Sequence, residues 1–182
     1  MENIFECGDI VLIHEKGLVA RLIQILQHSH WNHVLLIDEL LPWFSDYGIF
    51  ESIGSKGVSC GLLSFYRGKE ISVYRYKMIT PEQQSKIKFS AIQFGRYRYD
   101  TFLPFRVIKL LGMRRAFKLL FKMLLNQSVD IPHCLDSYIV CSELVQEAYR
   151  KVDIELCNDN YLLLPRDIEN SDYLINIWRG IY

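Results

Sequence analysis

The sequence predicts an α+β fold in which a central antiparallel sheet packs on a late helix, and three observations carry that prediction. Four short segments rich in β-branched and aliphatic residues fall within the first 77 positions, separated by Gly, Pro and polar clusters. Two of them, 33-HVLLID-38 and 47-YGIFESI-53, flank the breaker Pro42 as the arms of a hairpin. In the second half, 141-CSELVQEAYRKV-152 repeats apolar residues at helical spacing.

Along the chain, 10-IVLIH-14 reads as a short strand entered through Gly8-Asp9. The segment 17-GLVARLIQILQH-28 spaces Leu18, Leu22, Ile25 and Leu26 as an amphipathic helix. After the hairpin, Gly54, Gly57 and Gly61 mark turns, and 70-EISVYRYK-77 is a further strand. Thr80 caps a helix with Pro81 at its first position and Gln83 completing a capping box, and that helix stops at Gly95. A basic helical region spans 103–127, interrupted near Gly112, and 128–137 reads as loop. The tail 161–178 holds a turn after Pro165 and a last strand. No repeat or linker divides residues 1–182, so one domain is expected.

Half of the residues are hydrophobic, which supports a sizeable core. Lys plus Arg and Asp plus Glu both number 21, so no overall field favours nucleic acid as a partner. The five cysteines are scattered without a CxxC pair, which argues against a disulfide framework or zinc ribbon and for free thiols in a reducing compartment. The first residues lack the basic and apolar pattern of a signal peptide, and no apolar run has bilayer-spanning length; a cytoplasmic location is the expectation.

Cys141, Leu144, Val145, Ala148, Tyr149 and Val152 share one helix face, with the cysteine at its leading edge. A thiol there meets unpaired backbone N–H groups and the positive end of the helix dipole, which favour the thiolate. A buried structural cysteine fits the same spacing. A nucleophile needs a base. Among His28, His30 and His33, only His33 starts a strand, a rigid element suited to holding a catalytic group. Pairing the hairpin symmetrically about Pro42 sets positions summing to 84 opposite each other, which faces His33 with Glu51. A carboxylate amid Ile49, Phe50 and Ile53 needs a partner, and Glu51 could orient the imidazole from there. A solvated strand face would equally accommodate it.

These residues stand in a recognisable order: Gly8-Asp9-Ile10-Val11, Asn32-His33-Val34, Glu51, Gly57-Val58, Gly95, Tyr99-Asp100, Cys141-Ser142-Glu143-Leu144-Val145 and Leu164-Pro165-Arg166-Asp167. The order resembles the circularly permuted branch of the NlpC-like papain-fold superfamily, the YiiX/YebB-like group, related to lecithin retinol acyltransferase. The resemblance covers roughly residues 8 to 168. It implies a permuted papain-like fold, with Cys141 as nucleophile, His33 as base and Glu51 as the polar orienting residue. It also implies that Tyr99 lends its hydroxyl to the oxyanion site, although Tyr97 and Tyr138 compete for that part. The implied chemistry is thiol hydrolysis of an amide through an acyl-enzyme, with no metal or other cofactor. The substrate expected is peptide-type; an acyl-lipid hydrolase or acyltransferase, or a non-catalytic binding domain, are the alternatives.

The 103–127 segment carries Arg106, Lys109, Arg114, Arg115, Lys118 and Lys122 among apolar residues and no acid. Such a stretch suits a lid, peripheral contact with an anionic membrane, or a helical hairpin on the core. A zinc site built on His28, His30 and His33 with His133 or Cys134 is a rival reading, but HxHxxH lacks a downstream ligand pair at customary spacing.

Overall fold

Strands buried on both faces read as unbroken apolar runs, and 10-IVLI-13 and 34-VLLI-37 are of that kind. All eight residues lie at 1% exposure or less. The computed structural model describes residues 4–54, 56–99, 138–156 and 162–182, together with Lys118 and Lys122. The two runs form β1 (Ile10–His14) and much of β2 (His33–Leu41). Next come β3 (Asp46–Ile53), β4 (Gly57–Leu62) and β5 (Glu70–Tyr76). A late strand, β8 (Leu174–Ile181), completes a six-stranded sheet of order β4-β3-β2-β1-β5-β8, and every neighbouring pair is antiparallel.

Helices α1 (Leu18–Gln27), α2 (Pro81–Gln93), α3 (Cys141–Arg150) and α4 (Pro165–Glu169) are joined to this sheet. The α2 start is the expected capping box: Gln83 N–H donates to Thr80 Oγ1 at 3.2 Å, and Thr80 N–H donates to Gln83 Oε1 at 3.0 Å. The tail differs from the simple turn expected, because Pro165 opens the short α4, where Asp167 Oδ2 accepts the Leu164 N–H at 2.8 Å.

One sheet face presents Ile10, Leu12, Val34, Leu36 and Phe50 to Leu144, Val145, Ala148 and Tyr149 of α3 and to Ile87 and Ala91 of α2. The other face gathers Val11, Ile13, Leu35, Ile37, Ile49, Ile71 and Val73 under Phe5, Leu63 and Tyr66. Two polar anchors tie the Gly8-Asp9 corner down. Tyr149 Oη donates to the Gly8 carbonyl at 2.7 Å. Asp9, 1% exposed, takes Arg75 Nε and Nη2 at 2.7 and 2.8 Å in a two-point pair. Burial raises the Asp9 pKa in spite of Arg75.

The 57–62 stretch, expected as turns, is the edge strand β4. Glycine is a poor strand former, which masked it, yet both glycines fit their surroundings. Gly57 adopts φ 75° and a Cβ there would lie 2.4 Å from the Tyr97 carbonyl oxygen, so the close approach of the 94–99 segment requires glycine. That approach is sealed by the Val58 N–H donating to the same carbonyl at 3.1 Å.

The β2–β3 hairpin turns at 42–45 and starts with Leu41 opposite Asp46 and Leu40 opposite Tyr47. Asp38 and Glu39 then face the single residue Gly48, a bulge, and beyond it Ile37 pairs Ile49 and Leu35 pairs Glu51. Glu51 is thus opposite Leu35 rather than His33, two residues from the symmetric register.

A two-stranded parallel pair, β6 (Arg98–Tyr99) with β7 (Tyr138–Ile139), brings Tyr99 opposite Ile139, two positions before Cys141. The side chains of Tyr99 and Tyr138, the 128–137 loop and most of the 103–127 segment lie outside the described residues; within that segment Lys118 and Lys122 are helical and exposed. No helix among the described residues is long and apolar enough to cross a membrane.

Candidate active site

The α3 helix begins without a side-chain cap from its N-cap residue, Val140. Glu143 Oε2 reaches back to accept the Val140 N–H at 3.2 Å, at the helix end where the thiol sits. The Ser142 backbone N–H, beside the sulfur, helps to lower the Cys141 thiol.

A second backbone donor comes from the sheet. The β2–β3 ladder closes with Leu35 and Glu51, and Val34, one residue further, is outside it. Its backbone N–H acts on the Cys141 thiol and lowers it. On the neighbouring strand Ser52 Oγ donates to the Ile139 carbonyl at 2.8 Å, so both strand ends hold the chain leading into α3.

Cys141 and His33 stand next to each other, each shifting the other's protonation. His33 Nε2 lies 3.1 Å from Glu51 Oε2. With Nε2–H donated to the carboxylate, Nδ1 is the nitrogen left to serve the sulfur. His33 and Glu51 are buried, at 7% and 5% exposure, and share the sheet face of Leu35 and Ile13. The expected cross-strand relationship therefore holds as a diagonal rather than a direct pair, within reach of long side chains.

Charge follows geometry. Burial disfavours the imidazolium, but the hydrogen bonds and negative charges of Cys141 and Glu51 outweigh it and push His33 up to about 10. Burial likewise disfavours the thiolate, yet the His33 hydrogen bond and charge and the Val34 and Ser142 N–H groups bring Cys141 below its ordinary value. Glu51 is lowered: burial works against it, and His33 and Tyr66 prevail. The arrangement favours a thiolate–imidazolium pair backed by a carboxylate.

Tyr66, in the short 3-10 turn Leu63–Tyr66, is the residue sequence reasoning missed. Its hydroxyl donates to Glu51 Oε2, and its ring lies 6.0 Å from that of His33 at 32°. The turn follows β4, the strand whose glycines hid it, so nothing periodic pointed to Tyr66.

Asn32 shows why Asn-His-Val acts as a unit. Asn32 Oδ1 accepts the Glu15 N–H at 2.8 Å and Asn32 Nδ2 donates to the Glu15 carbonyl at 3.0 Å, clamping the residue before His33 to the end of β1. Glu15 in turn pairs with Lys69, whose Nζ sits 4.8 Å over the Tyr66 ring.

The other histidines go elsewhere. His28 takes a left-handed conformation at the α1 end. His30 Nε2 meets Glu70 Oε2 at 2.7 Å, and its ring stacks on His14 at 4.2 Å. His33 is thus drawn to different partners from His30, while His133 and Cys134 lie outside the described residues. Tyr97 is half-buried against Phe94 and the α3-side core, rings 5.1 Å apart.

No family model and no curated protein matches the sequence. Among solved structures, the chain is similar to that of metalloprotein yiiX from Escherichia coli O157:H7, DUF1105. The match has a TM-score of 0.68 at 15% identity and covers 96% of this chain and 97% of that one. The likeness shows a YiiX-like fold for the α+β architecture described above.

Proposed function

We propose that this protein is a cysteine hydrolase that cleaves an amide bond, of peptide type, through a thioester acyl-enzyme. The observation that carries the proposal is the chain Cys141–His33–Glu51, a partly exposed thiol backed by a buried imidazole and a buried carboxylate, with the thiol lowered and the imidazole raised. The order of these residues and the α3 helix lying across an antiparallel sheet support a permuted papain-like reading of the fold.

In the first step the Cys141 thiolate bonds to the substrate carbonyl carbon, and the C=O π pair moves onto oxygen. We assign the reception of that oxyanion to backbone N–H groups around the α3 N-terminus. The C=O re-forms as the C–N bond breaks, and His33 gives its Nδ1 proton to the departing amine. His33, now neutral, takes a proton from water, the hydroxide adds to the thioester, and the acid leaves as the thiolate–imidazolium pair is restored. Glu51 holds the ring throughout by accepting from Nε2. Tyr99, whose backbone pairs with Ile139 near the nucleophile, is the residue we propose for the oxyanion site.

Among the described residues, none make a set of ligands for a metal of the kind that the name metalloprotein yiiX implies for that protein. One ring nitrogen of His33 serves Glu51 and the other Cys141, and no group of three His, Cys, Asp or Glu residues among those described could hold an ion. No step is routed through a metal.

The test is a screen of peptide, simple acyl and lipid ester substrates with wild type and Cys141→Ala. Turnover of a peptide-type amide that is lost in Cys141→Ala is the expected result. Turnover confined to lipid esters would replace the substrate class, and activity retained in Cys141→Ala would overturn the mechanism.

A further inference from the structure

Two donors converge on Glu51 Oε2: the His33 Nε2–H at 3.1 Å and the Tyr66 hydroxyl. Sharing one oxygen has two opposite consequences. Tyr66 either competes with His33 for it, or fixes the carboxylate where His33 needs it. Packing decides between them. Tyr66 is 7% exposed, its ring runs along that of His33, and Lys69 covers it. Glu51, by contrast, has room to move: on the neighbouring strand Gly61 has no side chain, and a Cβ there would stand 3.5 Å from Glu51 Oε1. The positive charge of Lys56 acts on the carboxylate from the β3–β4 turn.

We propose that Tyr66 is a positioning residue that pins the Glu51 carboxylate against His33 and thereby sustains the imidazolium beside Cys141. The proposal rests on the Cys141–His33 reading above. The charged and titratable groups around the bond are His33 on β2, Lys56 in the β3–β4 turn, Cys141 on α3, and Lys69 and Glu15 around the Tyr66 ring. Freed from Tyr66, the carboxylate swings past Gly61, and the imidazolium loses its carboxylate partner.

The experiment is an NMR titration of histidine-labelled protein, with the His33 signal assigned by its loss in His33→Gln. Tyr66→Phe keeps the ring and deletes the hydroxyl. The expected result is a fall of His33 by about one pH unit, the scale of one hydrogen bond to a charged group. Glu51→Asp keeps the charge but shortens its reach, and must lower His33 too, which keeps the proposal testable if Tyr66→Phe does not fold. A second substitution of Tyr66 in a Glu51→Gln background should add nothing, whereas a merely structural tyrosine would act equally there. A His33 value unchanged or raised in Tyr66→Phe overturns the proposal and leaves the dyad standing. An ordinary His33 titration in wild type, unaffected by Cys141→Ala, overturns the dyad and the proposal together.

Discussion

Tyr66 and His33 donate to the same carboxylate oxygen of Glu51, from a turn and a strand 33 positions apart in sequence. The imidazole is therefore held from behind by a side chain that is itself held, with Cys141 as its other partner. That chain of restraint ties the acid–base behaviour of the site to its packing.

Reactivity should follow a pH window. The ion pair exists above the lowered Cys141 value and below the His33 value of about 10. Alkylation of Cys141 by iodoacetamide should already be fast below pH 9.0, the ordinary thiol value, and change again as pH rises through about 10. In His33→Ala the low-pH reactivity should vanish and turnover should drop by roughly 10²–10⁴-fold. Equal alkylation rates in both proteins at neutral pH would refute this.

Acid stability should report Glu51. Its pKa is lowered on folding, so its contribution is fully present above the ordinary value of 4.5 and fades as pH falls through the folded value. Thermal melts of wild type should therefore lose Tm below pH 4.5 more steeply than those of Glu51→Gln. Parallel Tm curves would contradict the assignment.

The Arg75–Asp9 pair should matter for stability and little for the site chemistry. Removing Arg75 strands a carboxylate that is 1% exposed, a change that costs on the order of 3 kcal/mol. Urea unfolding of Arg75→Met should show that loss, with Cys141 alkylation unchanged in the folded protein.

The two glycines of β4 should respond differently to alanine. Gly57→Ala meets the Tyr97 carbonyl at 2.4 Å with φ at 75°, so a loss of about 2 kcal/mol is expected. Gly61→Ala makes contacts of 3.4–3.5 Å to Ile49 and Glu51, ordinary packing, and should change stability by less than about 1 kcal/mol. Denaturant midpoints of the two variants distinguish the cases, and equal losses would refute the argument.

Much of this was readable in the sequence because local signals agreed with the final packing. The apolar runs of β1 and β2, the Thr80 box and the Cys141 face all emerged where composition and period placed them. Legibility failed where structure depends on partners. The β4 glycines look like turn residues until the 94–99 segment arrives to need them, and Tyr66 acquires meaning only once Glu51 is across from Ser59 on that strand. Likewise, Val34 reads as core, and nothing in its side chain betrays that its N–H acts on the Cys141 thiol.

The bulge of Asp38 and Glu39 opposite Gly48 has a consequence for how this hairpin tolerates change in length. At the tip, paired positions sum to 87, and past the bulge they sum to 86. Side chains alternate faces, so that single extra residue decides a parity. Carried onward without the bulge, the tip register would set Glu51 opposite Leu36 and turn it toward α3, on the far side of the sheet from His33. The two arms are therefore unequal. Loss of one residue from 38–41 irons out the bulge and leaves Leu35 opposite Glu51. Loss of one residue from 46–48 has no such slack on its own strand, and either doubles the mismatch or flips the carboxylate away from the imidazole. The first arm carries a spare residue, and the second has none to give.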